Sequence, residues 1–207
     1  MIQFEAWPKT PRLFRDITIT EKIDGTNGAI IIRDLGPNDL PFGLNTDDFE
    51  VMIFVDERWW GVGAQSRNRL VKPGKSTDNH GFAAWVHDNA AGLVAALGEG
   101  RHFGEWWGQG VARNYGLDHK RFSLFNTHRY KALLPHWVMG LDVVPVMYQG
   151  PYSEDTIRNS VIALRNGGSW AAPGFRNPEG IITFHSASKQ VYKTLLDNDE
   201  IPKGVAA

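Results

Sequence analysis

Apolar and polar positions divide the chain into many short runs and two longer ones. Ile17 and Ile19 alternate with Thr18 and Thr20, the period of a half-buried strand. Ala29 to Ile32 is a second apolar run, and between the two lies Glu21-Lys22-Ile23-Asp24-Gly25-Thr26-Asn27. Val51 to Val55, Trp59 to Val62, His102 to Gly108, Arg121 to Asn126, Trp137 to Val146, Glu179 to Phe184 and Val191 to Leu196 also have strand length. Over 81–97 the side chains Phe82, Trp85, Val86, Leu93 and Leu97 recur at helical spacing, with Asp78 or Asn79 to cap the helix and Gly98 to end it. Ser153 caps a second helix that turns Ile157, Val161 and Leu164 inward, and Gly167-Gly168 stops it. Many strands and two helices, with no internal repeat and no dividing linker, predict one α+β domain of antiparallel sheets over residues 1–207.

Composition narrows the function classes. The chain has 207 residues, 42% hydrophobic and 22% charged, so it can bury a sizeable core. It has no cysteine, which excludes disulfides and thiolate metal sites. The N-terminus lacks the pattern of a signal peptide, and no apolar run approaches the roughly 20 residues of a membrane span. A cytoplasmic protein that meets no membrane is expected. Net charge is −1, against a broadly basic nucleic-acid coat. The charge is unevenly spread, however. Every charge from Asp34 to Glu57 is acidic, in what reads as an exposed loop and the strand after it. Arg67, Arg69, Lys72 and Lys75 form one basic group, and the segment from Arg101 to Lys131 is rich in basic residues. The seven histidines show no metal-ligand spacing, and His185, one step past the Glu179–Phe184 strand, is the one with a candidate view of the site.

Five separated segments, taken in order, carry a resemblance. Lys-Ile-Asp-Gly-Thr-Asn at Lys22, Ser-Arg-Asn-Arg at Arg67, Phe-Gly-Glu at Glu105, Pro-Glu-Gly at Glu179 and Val-Tyr-Lys at Lys193 resemble the motifs of the covalent nucleotidyltransferases. Among these the chain is most similar to ATP-dependent RNA ligases of the nick-sealing type. The resemblance implies a nucleotidyltransferase fold, the ATP-grasp-like ligase domain, in a minimal form with no separate C-terminal or OB domain. A partner protein would then orient the nucleic acid. It also implies ATP and Mg²⁺ or Mn²⁺ as cofactors and RNA, as a nicked duplex or strand ends, as partner, with DNA the alternative.

Each motif residue inherits a role from that resemblance. Lys22 is the amine that takes AMP as a lysyl phosphoramide, which requires it to be neutral. Asp24 and Asn27 surround it, with Asn27 ordering metal-bound water. Arg67, or its neighbour Arg69, reaches the ribose or a terminal nucleotide, and Glu105 accepts a hydrogen bond from a ribose hydroxyl or positions metal. Phe125, in Phe-Ser-Leu-Phe-Asn, stacks on adenine, with Phe122 the competing ring, because Asn126 stands where the family has aspartate. Glu179 is the hard carboxylate for the metal, and Gly180 leaves space for the nucleotide. Lys193 binds the α-phosphate and depresses the Lys22 pKa. The family often has two lysines here, and Lys189 and Lys203 are the substitutes for the missing one. The catalytic set is therefore Lys22, Lys193 and Glu179. Alternatives are a DNA ligase or capping-type guanylyltransferase, and, outside enzymes, a module that binds nucleotides or nucleic-acid ends.

Overall fold

The computed structural model describes residues 2–37, 49–130, 137–197 and 199. The backbone falls into two compact units, Met1–Lys22 with Pro145–Ala207, and Ile23–Val144. The acidic stretch expected as a loop lies largely in 38–48, outside the described residues, as does Lys203.

The first unit is a four-stranded sheet with one helix. Its strands are β1 (Asp16–Lys22), β9 (Val146–Pro151), β10 (Gly180–His185) and β11 (Gln190–Leu195), in the order β11-β10-β1-β9. All three pairings are antiparallel. The alternation of Ile17 and Ile19 with threonine does what the pattern predicts. Ile17, Ile19 and Ile181 turn to one face and pack with Leu164 of helix α3 (Glu154–Gly167). Ser153 caps α3, its Oγ accepting from Thr156 N–H at 3.4 Å, and Gly168 closes it with φ +84°. Side chains at Thr20, Lys22, Ile182 and Lys193 point to the opposite face, because residues paired across a ladder share a side.

The second unit is a larger sheet covered by two helices. Its path is β3 (Val51–Val55), β4 (Arg58–Ser66), β2 (Thr26–Gly36), β6 (Gly100–Gly108), β7 (Lys120–Leu124) and β8 (Leu141–Val143), with β5 (Leu70–Val71) also paired to β4. Ile30, Ile32, Val62, Trp106, Phe122 and Leu124 face helices α1 (Phe82–Asp88) and α2 (Ala90–Leu97) in one aromatic-rich core. Phe82 is its hub, 4.9 Å from the Phe122 ring and 5.6 Å from Trp106. Asn27, Glu105 and Ser123 fall on the other face by the same alternation.

Two sequence expectations change here. The single helix over 81–97 is interrupted at Asn89, where φ is −108° and ψ 12°; the Asn89 amide side chain donates to Trp85 O at 2.8 Å. An asparagine side chain that bonds the preceding turn competes with the helix ladder, and the ladder resumes when Leu93 N–H reaches Asn89 O. Capping goes to Asp78, whose carboxylate accepts from Ala83 and Ala84 N–H. The strand expected over Trp137 to Val146 is instead a turn, the short β8 and the start of β9. Gly140 at φ +83° makes the turn, and Pro145 stands between the strands without an N–H to donate.

Candidate active site

Lys22 is the last residue of β1, and its partner across the ladder is Gly180. Glu179 precedes Gly180, so the pairing register places a carboxylate beside the amine. Lys22 Nζ donates to Glu179 Oε2, with both side chains only partly exposed. A Cβ at Gly180 would lie 2.2 Å from Thr194 O and 2.9 Å from Leu195 Cα, so glycine is required there to let β11 pass. Lys193 stands opposite Ile182, on the same face as Lys22. Two strand spacings and one pair step put its Cα about 12 Å from that of Lys22. Lys193 is exposed. Lys189 does not substitute for a second lysine: it sits at φ 56° in the turn after His185, at the far end of the hairpin, roughly 17 Å along the strands.

Glu21 points the other way and is buried, at 1% exposure. Its carboxylate accepts from Ser169 Oγ–H at 2.7 Å, Trp170 N–H at 2.7 Å and Ala171 N–H at 2.8 Å. Burial pushes its pKa above the ordinary carboxylate range, against the opposing pull of these three donors. The group pins the loop after α3 to the strand that ends in Lys22. Sequence reading passed over it, although a glutamate in phase with Ile17 and Ile19 was the available signal.

The second unit holds the rest of the motif residues in two clusters. Asn27 Nδ2 donates to Glu105 Oε2 at 2.9 Å, directly across the β2–β6 pairing. Glu105 is 9% exposed, so the amide stabilises a largely buried carboxylate. Asp24 is held from the loop after β6. Arg113 Nε donates to Asp24 Oδ2 at 2.9 Å, and Asp24 N–H donates to Tyr115 Oη at 2.8 Å. That loop is conformationally unusual: Ala112, Asn114 and Tyr115 have φ of 44°, 63° and 53°. Left-handed backbone at three non-glycine residues is uncommon and costs energy that the surrounding contacts must offset. Tyr115 supplies one such contact, its buried ring edge-on to Trp107 at 4.9 Å. Arg113 and Tyr115 were legible only as a basic loop. Gly25 is required by space: a Cβ would lie 2.5 Å from Trp106 O.

The remaining candidates separate. Arg67 is exposed in the β4–β5 hairpin, and Arg69 donates to Thr77 O at 2.9 Å. Phe122 is fully buried against Phe82, which removes it as a stacking ring, whereas Phe125, just past β7, is 41% exposed. His185 shares the α3 face with Ile17, away from Lys22, and bonds Leu13 O at 2.7 Å. Among the described residues no three His, Asp or Glu side chains converge as a metal centre.

These features define an α+β protein with a lysine and a carboxylate paired at adjacent strand ends. A profile of the RNA ligase family matches residues 15–183. The chain belongs to the RNA ligase family. Comparison with curated protein sequences finds no match. Among solved structures, a variant of Naegleria gruberi RNA ligase with ATP and Mn superposes with a TM-score of 0.52 at 16% identity, covering 87% of this chain and 49% of that one. A second variant, with AMP and Mn, gives 0.51 at 16% identity, with coverage of 87% and 49%. A third, without ligand, gives 0.51 at 17% identity over the same shares. At such identities the likeness is one of fold. This chain spans about half the length of those proteins. No described helix is long and apolar enough to cross a membrane.

Proposed function

We propose that this chain is the nucleotidyltransferase core of an ATP-dependent RNA ligase. The observation that carries the reading is Lys22 at the end of β1, ion-paired to Glu179 just before the neighbouring strand β10, in a chain of this family. Lys22 Nζ attacks the α-phosphorus of ATP; a P–N bond forms, the P–O bond to pyrophosphate breaks, and the amine gives up a proton. AMP then passes to an RNA 5′-phosphate, and a 3′-hydroxyl displaces it to seal the strand. This intermediate and order of steps come from the resemblance.

The residues support distinct tasks. Contact with Glu179 fixes the amine at the strand end, so little freedom is lost on reaching the nucleotide. Lys193, on the same face, offers a cation for the α-phosphate as its charge grows. Asn27 and Arg113 hold Glu105 and Asp24 in fixed orientations, Glu105 for a ribose hydroxyl. Phe125 is the exposed ring for the base, and Arg67 is exposed to meet phosphates, while the neighbouring Arg69 is held to Thr77 O. The donor set fits a divalent ion that arrives with the nucleotide. Mg²⁺ takes one or two carboxylates together with phosphate oxygens and water, and Glu179 is a hard carboxylate of that kind, with Asn27 assigned to a metal-bound water. When bound, such an ion supplies positive charge for the departing pyrophosphate.

The test is covalent labelling. The protein mixed with α-labelled ATP and Mg²⁺, then denatured, should carry label that is lost in Lys22→Ala. An intact fold with no label at any pH would leave only a binding module. Sealing of nicked RNA, DNA and hybrid duplexes in parallel decides the acceptor, with RNA expected to be joined fastest.

A further inference from the structure

The segment before β1 carries surface that the chemistry above does not use. Residues 2–12 form neither helix nor strand. The segment is tied to the sheet at its end. Leu13 O accepts from Arg15 N–H at 2.9 Å and lies 2.7 Å from His185 Nε2, and Tyr152 N–H donates to Arg15 O at 3.0 Å. Around that tie, large rings stand in solvent. Phe4 is 92% exposed, Trp7 90% and Phe14 77%, the last edge-on to Tyr152 at 6.0 Å. Lys9, Arg12 and Arg15 are interleaved with these rings and exposed, and no acid lies between Glu5 and Asp16.

Pro8 and Pro11 decide what such a segment can do. Two prolines three residues apart forbid an α-helix through them, and they bias Trp7 and Thr10 to extended backbone. The amphipathic helix that would lie on a membrane surface is thereby excluded. Exposed rings alternating with cations on an extended backbone complement one polymer in particular. The rings stack on unpaired bases while the cations meet phosphates. A duplex hides its base faces and would meet the cations alone.

We propose that residues 2–15 form an arm that grips unpaired nucleotides of the RNA, with Trp7 and Phe14 stacking on bases and Lys9, Arg12 and Arg15 on the phosphates. The choice of RNA as the polymer rests on the ligase reading above. The seven residues of β1 separate the arm from Lys22 by about 20 Å. That distance corresponds to about six nucleotides at helical spacing. The arm therefore adds affinity for a single-stranded flank and takes no part in the chemistry at Lys22.

The test is fluorescence anisotropy on the full chain, with a labelled oligouridine of twelve nucleotides and, separately, a blunt RNA duplex of twelve base pairs. The parent should bind the single strand with a Kd of about micromolar order. Trp7→Ala with Phe14→Ala should weaken the single strand by about tenfold and the duplex by less than about twofold, and Trp7→Phe with Phe14→Tyr should recover most of the loss. Lys9→Gln with Arg12→Gln should weaken both RNAs. It should also flatten the slope of log Kd against log salt for the single strand by about 1.4, the share of two phosphates. All four positions are exposed, so urea midpoints should not move. Lys22→Ala, which removes the label in the ligase test, should bind both RNAs as the parent does, so the two readings fail separately. The proposal is overturned if the parent does not saturate below about 100 μM, or if the alanine variant binds the single strand like the parent or loses both RNAs equally. It is equally overturned if the glutamine variant leaves both RNAs unchanged, or if Lys22→Ala weakens the single strand as much as the alanine variant does. Loss of binding to anionic phospholipid vesicles in place of RNA would make the arm a membrane contact and overturn it too.

Discussion

The two units follow one plan with unequal means. Each covers one face of a sheet with helix, one in the first unit and two in the second, and sets its motif residues on or beside the other. In the second unit the covered face is a broad aromatic core around Phe82, Trp106 and Phe122. In the first, three fully buried isoleucines meet Leu164 of α3, and a buried glutamate adds a polar anchor. The difference teaches that Asn27 and Glu105 rest on hydrophobic packing, whereas Lys22 rests on a small core reinforced by hydrogen bonds. Packing tolerates changes of pH and salt better than buried charge does.

The largest effect should come from the aromatic core. Phe122→Ala should cost about 3–5 kcal/mol of unfolding free energy, read by urea denaturation, because its neighbours cannot collapse into the space. A loss under 1 kcal/mol would mean that the second unit does not depend on this cluster.

Glu21→Ala is the counterpart in the first unit. It strands one buried and two partly buried donors and should cost about 2–3 kcal/mol. Amide exchange should rise first in 169–171 and β1, ahead of the second unit, and uniform exchange would break the comparison.

His102 gives a pH arm in the second unit. Burial lowers its pKa to about 4, while its rim contacts are Tyr130 Oη at 2.5 Å and Gly98 O at 3.0 Å. The unfolded chain takes up the proton near pH 6.5 and the folded chain only near 4, so stability is full above 6.5 and falls as pH drops through that window. About 2 kcal/mol should be lost between pH 7 and pH 5, and His102→Gln should flatten the slope.

Arg113→Ala is the smallest. The pair with Asp24 is partly exposed, so the stability change should stay below about 1 kcal/mol. Labelling of the protein by ATP should nevertheless slow by about tenfold, with Arg113→Lys in between, because orientation matters more than binding here. Equal stability and equal labelling would assign the ion pair no part in the reaction.

Much of this was legible in the residues. The period of two at Ile17 and Ile19, the Ser153 cap and the Gly167-Gly168 stop gave β1 and α3 with their faces, because each signal is local. The ordered motifs also pointed to Lys22 and Glu179, which the register then paired. What could not be read depends on distant contacts. The Asn89 break turns on one side-chain bond, and the burial of Phe122 on which face the helices cover. Arg113 and Tyr115 reach Asp24 from a loop that sequence marks only as basic and glycine-containing. The need for glycine at 180 is likewise set by a distant strand, because Thr194 O of β11 lies where a Cβ would go.

Glu21 and Lys22 are chain neighbours with opposite fates, one sealed beneath a loop and one presented at a strand tip. Sliding β1 by one residue against β10 would exchange them, sinking the ammonium among isoleucines and lifting the acid outward. Which of the two side chains reaches the side proposed to face the nucleotide is thus a matter of alignment between two strands as much as of which residue is encoded. An insertion upstream in that strand would turn Lys22 toward α3 while leaving every motif intact on paper.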